Sequence, residues 1–309
     1  MAERREVDAS NNQIPTSGRK GETLEELGIP TPSNAREEDT EFYSKAGISR
    51  GGKGQKLMFE PPAELVDLPS HGYLYHGVTE DSDILEKGAI RIRPMTVNEE
   101  KILSTPRIVR AGQALDMIFQ NCIKSDIDPS ELLSSDRVYL MLWLRSVSYG
   151  NIYRFKLTCP DTGREFETEV DLSEHPIREM DDPEIKEPFE TILPVSKFKV
   201  WFRLPRGKDE LEIIKLQNKP KKMDSVDETV VHRLKSAILK IQDPSGETIP
   251  ENIKEQFVES LIARDASHIR NKMEDFDSGI EDIQVTSPYS DREYSVPIPI
   301  TENFFRSTE

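Results

Sequence analysis

Cys159 and Ser287 each open a short run of the same shape, and the shape is one that chemistry uses to grip a metal. The first run reads Cys159-Pro160-Asp161-Thr162-Gly163-Arg164-Glu165-Phe166, the second Ser287-Pro288-Tyr289-Ser290-Asp291-Arg292-Glu293-Tyr294. They agree at Pro160 and Pro288, Arg164 and Arg292, Glu165 and Glu293, and at the aromatic pair Phe166 and Tyr294. A zinc ribbon is built from two knuckles of form C-P-x-C, each giving two thiolates to one tetrahedral ion. The corresponding positions here are Cys159, Thr162, Ser287 and Ser290, so one thiolate remains. Hydroxyls are poor zinc ligands, and the expectation is a ribbon's outline with no metal and no other cofactor. A second reading stays open at this point, because prolines beside short turns are common and two hairpins can share a turn preference by chance.

The other reactive residue types form no catalytic constellation. Histidines stand at 71, 76, 175, 232 and 268, without HExxH spacing. His71 and His76 lie five apart in a turn-rich segment and are not expected to pair on a metal. There is no G-x-S-x-G elbow and no G-x-G-x-x-G after a strand. Gly51-Gly52-Lys53-Gly54 lacks the GK[ST] ending of a phosphate loop and reads as a linker. Cys122 sits on an apolar helical face, where a packed thiol is expected rather than a nucleophile. With 57 carboxylates in the chain, some pairs fall close by chance, so proximity in sequence carries no catalytic weight. The acidic stretch Glu179 to Glu190 reads as a solvated loop, and Lys219 to Lys222 as a basic interhelical loop. The chain is expected not to be an enzyme.

Totals narrow the partners. A formal charge of −16 over 309 residues argues against general nucleic-acid affinity, which needs clustered Lys and Arg. Two cysteines exclude a disulfide framework. Met1 to Ser10 is charged with no apolar stretch after it, and no apolar run approaches the roughly 20 residues that cross a bilayer. The chain reads as soluble, made in a reducing cytoplasm, and free of nucleic-acid and membrane partners.

The elements that must position the knuckles are legible in outline. Residues 1–56 lack periodicity and are rich in polar and charged residues, which predicts a disordered tail. Small apolar clusters interrupt it at Leu24, Leu27 and Ile29 and at Phe42, Tyr43 and Ile48. They are either random placements or short anchors that fold onto a partner. Order is expected from Leu57. Leu65 to Tyr75 looks extended and turn-rich, and Ala89 to Arg93 alternates as a strand ending at Pro94. Thr96 and Glu99 form a capping box for the next helix. Helices follow at about Val109–Ile123 and Ser130–Tyr149, the latter apolar over a wide arc at Val138, Leu142, Trp143, Leu144 and Val147 and so the expected core helix.

Strands are predicted at Ile152–Thr158, Glu165–Leu172 and Lys197–Leu204. Helices are predicted at Lys208–Gln217, Ser225–Ile241, Pro250–Ala263 and Asp265–Phe276, and a second hairpin over Glu281–Ile300. Helices and strands are segregated, so the class is α+β: a helical core with a metal-free, zinc-ribbon-like hairpin subdomain and a disordered N-terminal tail. Residues 57–309 form one domain, with the hairpins 152–172 and 281–303 packed together.

One more pattern is specific. The run Leu68-Pro69-Ser70-His71-Gly72-Tyr73-Leu74-Tyr75, then Gly88-Ala89-Ile90-Arg91-Ile92-Arg93-Pro94-Met95-Thr96, resembles the opening signature of T4-type phage baseplate hub and hub assembly proteins. The likeness continues through Glu99 to Leu103, Thr105-Pro106-Arg107, Gly112 and Ala114 to Ile118, and returns at Arg264-Asp265-Ala266 and Phe304-Phe305-Arg306. It spans about Leu65 to Arg306; the middle helices match weakly and the N-terminal tail lies outside it. In many members two C-P-x-C knuckles form a ribbon, and this chain departs from that at 162, 287 and 290. The resemblance implies a non-enzymatic structural or assembly protein of a contractile tail, helping to form the central hub of the baseplate by contacting other hub or wedge proteins. It implies a virion location in the tail baseplate after assembly in the host cytoplasm, with oligomeric state open. The alternative is a transient tail-assembly chaperone absent from the mature virion. A cell-wall enzyme is a third class, and no carboxylate pair suggests it. Partner contacts are expected at an exposed front segment, Pro69, Gly72, Tyr73 and Tyr75, and at Phe304 and Phe305. The same residues could instead close the protein's own core.

Overall fold

In the computed structural model, the residues described are 48–49, 58–218, 229–300 and 304–305. The chain divides into two units, Met1–Pro61 and Pro62–Glu309. In the first, strand β1 (Ile48–Ser49) pairs antiparallel with β2 (Met58–Phe59). The other expectations for 1–56, and those for Lys219 to Lys222 and Arg306, lie outside the described residues.

The second unit begins with β3 (Glu64–Asp67), antiparallel to β4 (Ala89–Ile92), with Val66 opposite Ile90. Between them lie a single 3₁₀ turn, Tyr73–Tyr75, and α1 (Ser82–Lys87). The capping box forms as its residues dictate: Asn98 N–H donates to Thr96 Oγ1 at 3.3 Å and Thr96 N–H to Glu99 Oε2 at 2.7 Å. It starts α2 (Val97–Leu103). The predicted helix Val109–Ile123 is instead two, α3 (Pro106–Arg110) and α4 (Ala114–Cys122). Gly112 between them takes φ +71°, where the backbone cannot continue a right-handed helix.

Helix α5 (Ser134–Tyr149) is the core helix, burying Leu140, Met141, Leu142 and Leu144, and it stops at Gly150. Val147, expected in that core, is 39% exposed. Strands β5 (Ile152–Thr158) and β6 (Glu165–Asp171) form the first hairpin. The acidic segment that follows is not simply a solvated loop. It follows directly on β7 (Ile177–Arg178), contributes a buried Met180, and runs into β8 (Phe189–Ile192).

The largest sheet is three-stranded and antiparallel, in the order β10 (Ile238–Gln242), β9 (Lys199–Phe202), β8. Here the sequence reading of one helix over Ser225–Ile241 is corrected. Helix α7 (Thr229–Ala237), which follows α6 (Gly207–Gln217), gives way to β10. Leu234, Ile238 and Ile241 are spaced four and three apart, which imitates a helical stripe. A register shift between Ile238 and Lys240 lets both isoleucines face inward from a strand, opposite Phe202 and Val200. Helices α8 (Lys254–Glu259) and α9 (Ala263–Phe276) lead to β11 (Gly279–Ile280), paired with β7, and to a last hairpin of β12 (Ile283–Thr286) and β13 (Glu293–Val296). Small antiparallel sheets beside a helical core make the fold α+β.

Candidate functional site

The front signature is built around one carboxylate. Helix α5 carries Asp136 into the core, fully buried, and the front segment supplies all its donors. Ser70 N–H and Oγ–H reach it at 3.1 and 2.5 Å, and Tyr75 O–H at 2.7 Å. Tyr75 Oη in turn accepts Leu133 N–H at 2.8 Å. Burial pushes the Asp136 carboxyl up to about 6 even against these donors, and pushes the Tyr75 phenol well above its ordinary value. Arg206 clamps the other side: it donates to Leu74 C=O at 3.3 Å and to Glu131 C=O at 2.8 Å, and pairs with Glu187 at 2.9 Å. Met180 N–H caps Pro69 C=O at 2.9 Å. Such an enclosed, donor-saturated carboxylate is a lock between segments.

This placement corrects the expectation of an exposed front segment. Pro69, Gly72 and Tyr75 are buried, and Tyr73 alone of the four retains partial exposure. Gly72, at φ +72°, sits so close to α1 that a Cβ there would stand 2.1 Å from the Ile84 carbonyl oxygen. At the other end, Phe304 is fully buried with its ring edge-on to Tyr153 at 4.9 Å, and Phe305 packs edge-on to Phe304 at 5.0 Å, partly exposed. Tyr153 O–H holds the approach to that end through Pro299 C=O at 2.9 Å. Tyr75 and Phe304 therefore serve the protein's own core, which leaves Tyr73 and Phe305 as the outward groups of the expected contact set.

The two knuckles repeat in backbone as well as in sequence. In the first, Cys159 N–H donates to Arg164 C=O at 2.9 Å and Gly163 N–H to Cys159 C=O at 2.8 Å. In the second, Ser287 N–H donates to Arg292 C=O and Asp291 N–H to Ser287 C=O, both at 3.0 Å. The fifth residue of each is left-handed, Gly163 at φ +69° and Asp291 at +51°. Strand register is the same, Thr158 opposite Glu165 and Thr286 opposite Glu293. The knuckles meet: Cys159 Sγ lies 3.7 Å from Ser290 Oγ and 3.9 Å from Tyr294 Oη. Hydrogen bonds from the Ser287 and Thr162 side chains, with a further one from Ser290, bring the Cys159 thiol down to about 6. Burial does the opposite to Cys122, pushed up to about 12.

The remaining candidates are scattered. His71 meets Glu179 at 3.3 Å, His232 meets Glu212 at 3.0 Å, and His268 meets Thr191 at 2.9 Å. Among the described residues no group of three His, Cys, Asp or Glu side chains could hold a metal ion, and no helix is long and apolar enough to cross a membrane. A cleft of about 600 Å³ opens between α4 and α6, with Gln113, Met117, Leu211 and Lys215 among its walls. Sequence reading missed Asp136 and Arg206. The available signal was a charged pair, Asp136-Arg137, at the start of a helix whose other faces are apolar.

A family model described as T4 bacteriophage base plate protein matches residues 78–306. No curated protein and no solved structure matches the chain.

Proposed function

The chain belongs to the T4 bacteriophage base plate protein family, and from that premise we propose that it is a non-enzymatic component of the central hub, acting through contacts with other hub or wedge proteins. A structural or assembly role in the phage baseplate follows from the family itself. The observation that supports the reading most is the extent of the match, which runs through α5, the three-stranded sheet and both knuckles to residue 306. The hub assignment rests on the likeness of the 68–75 and 88–96 runs to hub proteins. Tyr73 and Phe305, partly exposed beside the buried Tyr75 and Phe304, are the contact residues proposed for partners. The buried locks around Asp136 and Arg206 suit a part that must keep its shape while neighbours assemble on it.

Mass spectrometry of purified mature virions tests this. Stoichiometric recovery with the tail fraction is expected. Presence in infected-cell extracts with absence from virions overturns the structural reading in favour of a transient assembly factor. Co-expression with neighbouring tail proteins, followed by pull-down, identifies the contact; hub proteins are expected in the eluate, and recovery of sheath or head proteins alone refutes the hub assignment.

A further inference from the structure

We infer that the tips of the two hairpins form a polar cage that fastens them together as a coordinated ion would, with hydrogen bonds across the tips, centred on the Cys159 sulfur, in the place of metal bonds. The need for a fastener is physical. Strands β5 and β6 form one two-stranded sheet and β12 and β13 another, with no ladder between them. An isolated two-stranded hairpin is at best marginally stable and requires packing or a cross-link. Each hairpin buries one face, Tyr153, Phe155 and Phe166 on the first and Ile283 and Val285 on the second, but the tips extend to polar residues.

At those tips the geometry is that of a cage. Because both knuckles close with the same two backbone hydrogen bonds and the same left-handed residue, positions 159 and 162 of one are equivalent to 287 and 290 of the other. Two hydroxyls of the second hairpin meet the sulfur of the first, Ser290 Oγ at 3.7 Å and Tyr294 Oη at 3.9 Å, while Thr162 Oγ1 and Ser287 Oγ brace the backbone of their own knuckles, accepting from Arg164 N–H at 3.4 Å and Tyr289 N–H at 3.2 Å. Cys159 and Ser287 are both fully buried. In a four-thiolate centre anionic sulfurs surround a cation. Here hydroxyl groups stand around a single sulfur instead.

A second tier holds the donors in place. Tyr294 Oη lies 2.8 Å from Ser290 Oγ, and Tyr294 O–H donates to Asp161 at 2.7 Å, so the second hairpin is tied back to the first. Arg292 pairs with the same Asp161 at 3.4 Å. On the outer side Tyr289 O–H donates to Glu165 C=O at 3.2 Å, the ring standing under Arg164 at 5.5 Å and edge-on to Phe166 at 6.4 Å. Of the charged and titratable groups at the tips, Tyr294 lies against the sulfur, and Asp161, Arg292 and Arg164 belong to the surrounding contacts. The depressed thiol is consistent with the donor set but does not define it.

The cage makes a strong demand on experiment: three substitutions at the equivalent positions must turn it into a metal site. The full-length triple variant Thr162→Cys, Ser287→Cys and Ser290→Cys is expected to take up one Co²⁺ per chain with the intense visible bands of tetrahedral thiolate coordination. Its melting temperature is expected to rise when Zn²⁺ is added, while the unmodified protein gives no cobalt bands. A variant that folds by circular dichroism yet shows only pale, weakly bound cobalt overturns the inference. Should the triple variant not fold, Tyr294→Phe in the unmodified chain decides the matter. Loss of the hydroxyl shared by Ser290, Asp161 and Cys159 is expected to lower Tm by about 2–4 °C, the shift that ~1 kcal/mol gives a chain of this size. An unchanged Tm, with the hairpin amides equally protected from hydrogen exchange, refutes the cage.

Discussion

Asp136 shows how a single side chain ties a recognisable sequence to a fold. Its three donors come from Ser70 and Tyr75, so the residues that make the front signature distinctive are those that satisfy a buried carboxylate. Its folded carboxyl, at about 6, lies above the ~3.9 of an unfolded aspartate. The sign follows: its contribution to stability is fully present below pH ~4 and is lost as pH rises through about 6. Asp136→Asn keeps the volume, and the stability difference between unmodified protein and variant is expected to shrink between pH 4 and pH 7 in urea titrations. A pH-independent difference refutes the assignment. Cys159 runs the other way. Its folded thiol, lowered to about 6 by neighbouring hydroxyls, contributes stability above the free-thiol value of ~8.5 that is lost as pH falls through about 6. Since burial keeps Cys122 near 12, ultraviolet thiolate absorbance is expected to titrate near pH 6 and to vanish in Cys159→Ser. A midpoint near the free-thiol value contradicts it.

At the scale of elements, local chemistry and long-range pairing contend. The cap on α2 is local and was readable: Thr96 and Glu99 stand three apart, and they close as expected. Burial alone would raise the Glu99 carboxyl, but hydrogen bonds from Arg93 and Thr96 outweigh it and hold the group at about 2. Thr96→Ala is expected to cost about 1 kcal/mol in chemical denaturation. Gly72 was readable as a turn but not as a close approach. Its positive φ and the Ile84 carbonyl 2.1 Å from a hypothetical Cβ predict that Gly72→Ala costs more than about 2 kcal/mol, measured by the same denaturation. A cost below that of Thr96→Ala would show that the β3–α1 corner relaxes freely. Strand β10 was misread because a bulge gives a strand the spacing of a helix. Strand β8 was missed because its acidic surroundings masked Phe189, which stacks on Phe276 at 4.4 Å.

For the whole molecule, the two ends of the second unit are where the core meets the proposed partner surface. Phe304 is fully enclosed against Tyr153, while Phe305 beside it is not. Phe304→Ala is expected to cost about 3–5 kcal/mol, the usual penalty for emptying a buried aromatic site. Phe305→Ala should leave the melting temperature within a few degrees yet weaken recovery of hub partners in pull-down. Equal effects of the two substitutions on stability, with partner recovery unchanged, would make both residues core alone and remove Phe305 from the proposed surface.

What the sequence by itself determined is whatever depends on near neighbours. The capping box, the stop at Gly150, the alternation of β4 and the internal match of the two knuckles all lie within a few residues or a comparison of two short runs. The class α+β followed from their order. Tertiary structure alone decided which of the chemistry-bearing residues come together. Ser70 and Asp136 are 66 positions apart, and Cys159 and Ser290 are 131 apart. Neither pairing leaves a periodic trace, because a hydrogen bond across such a gap constrains geometry and not spacing. The same holds for burial. Tyr75 and Phe304 look like surface aromatics at the ends of a polar chain, and only the packing of α5 and the first hairpin over them makes them core.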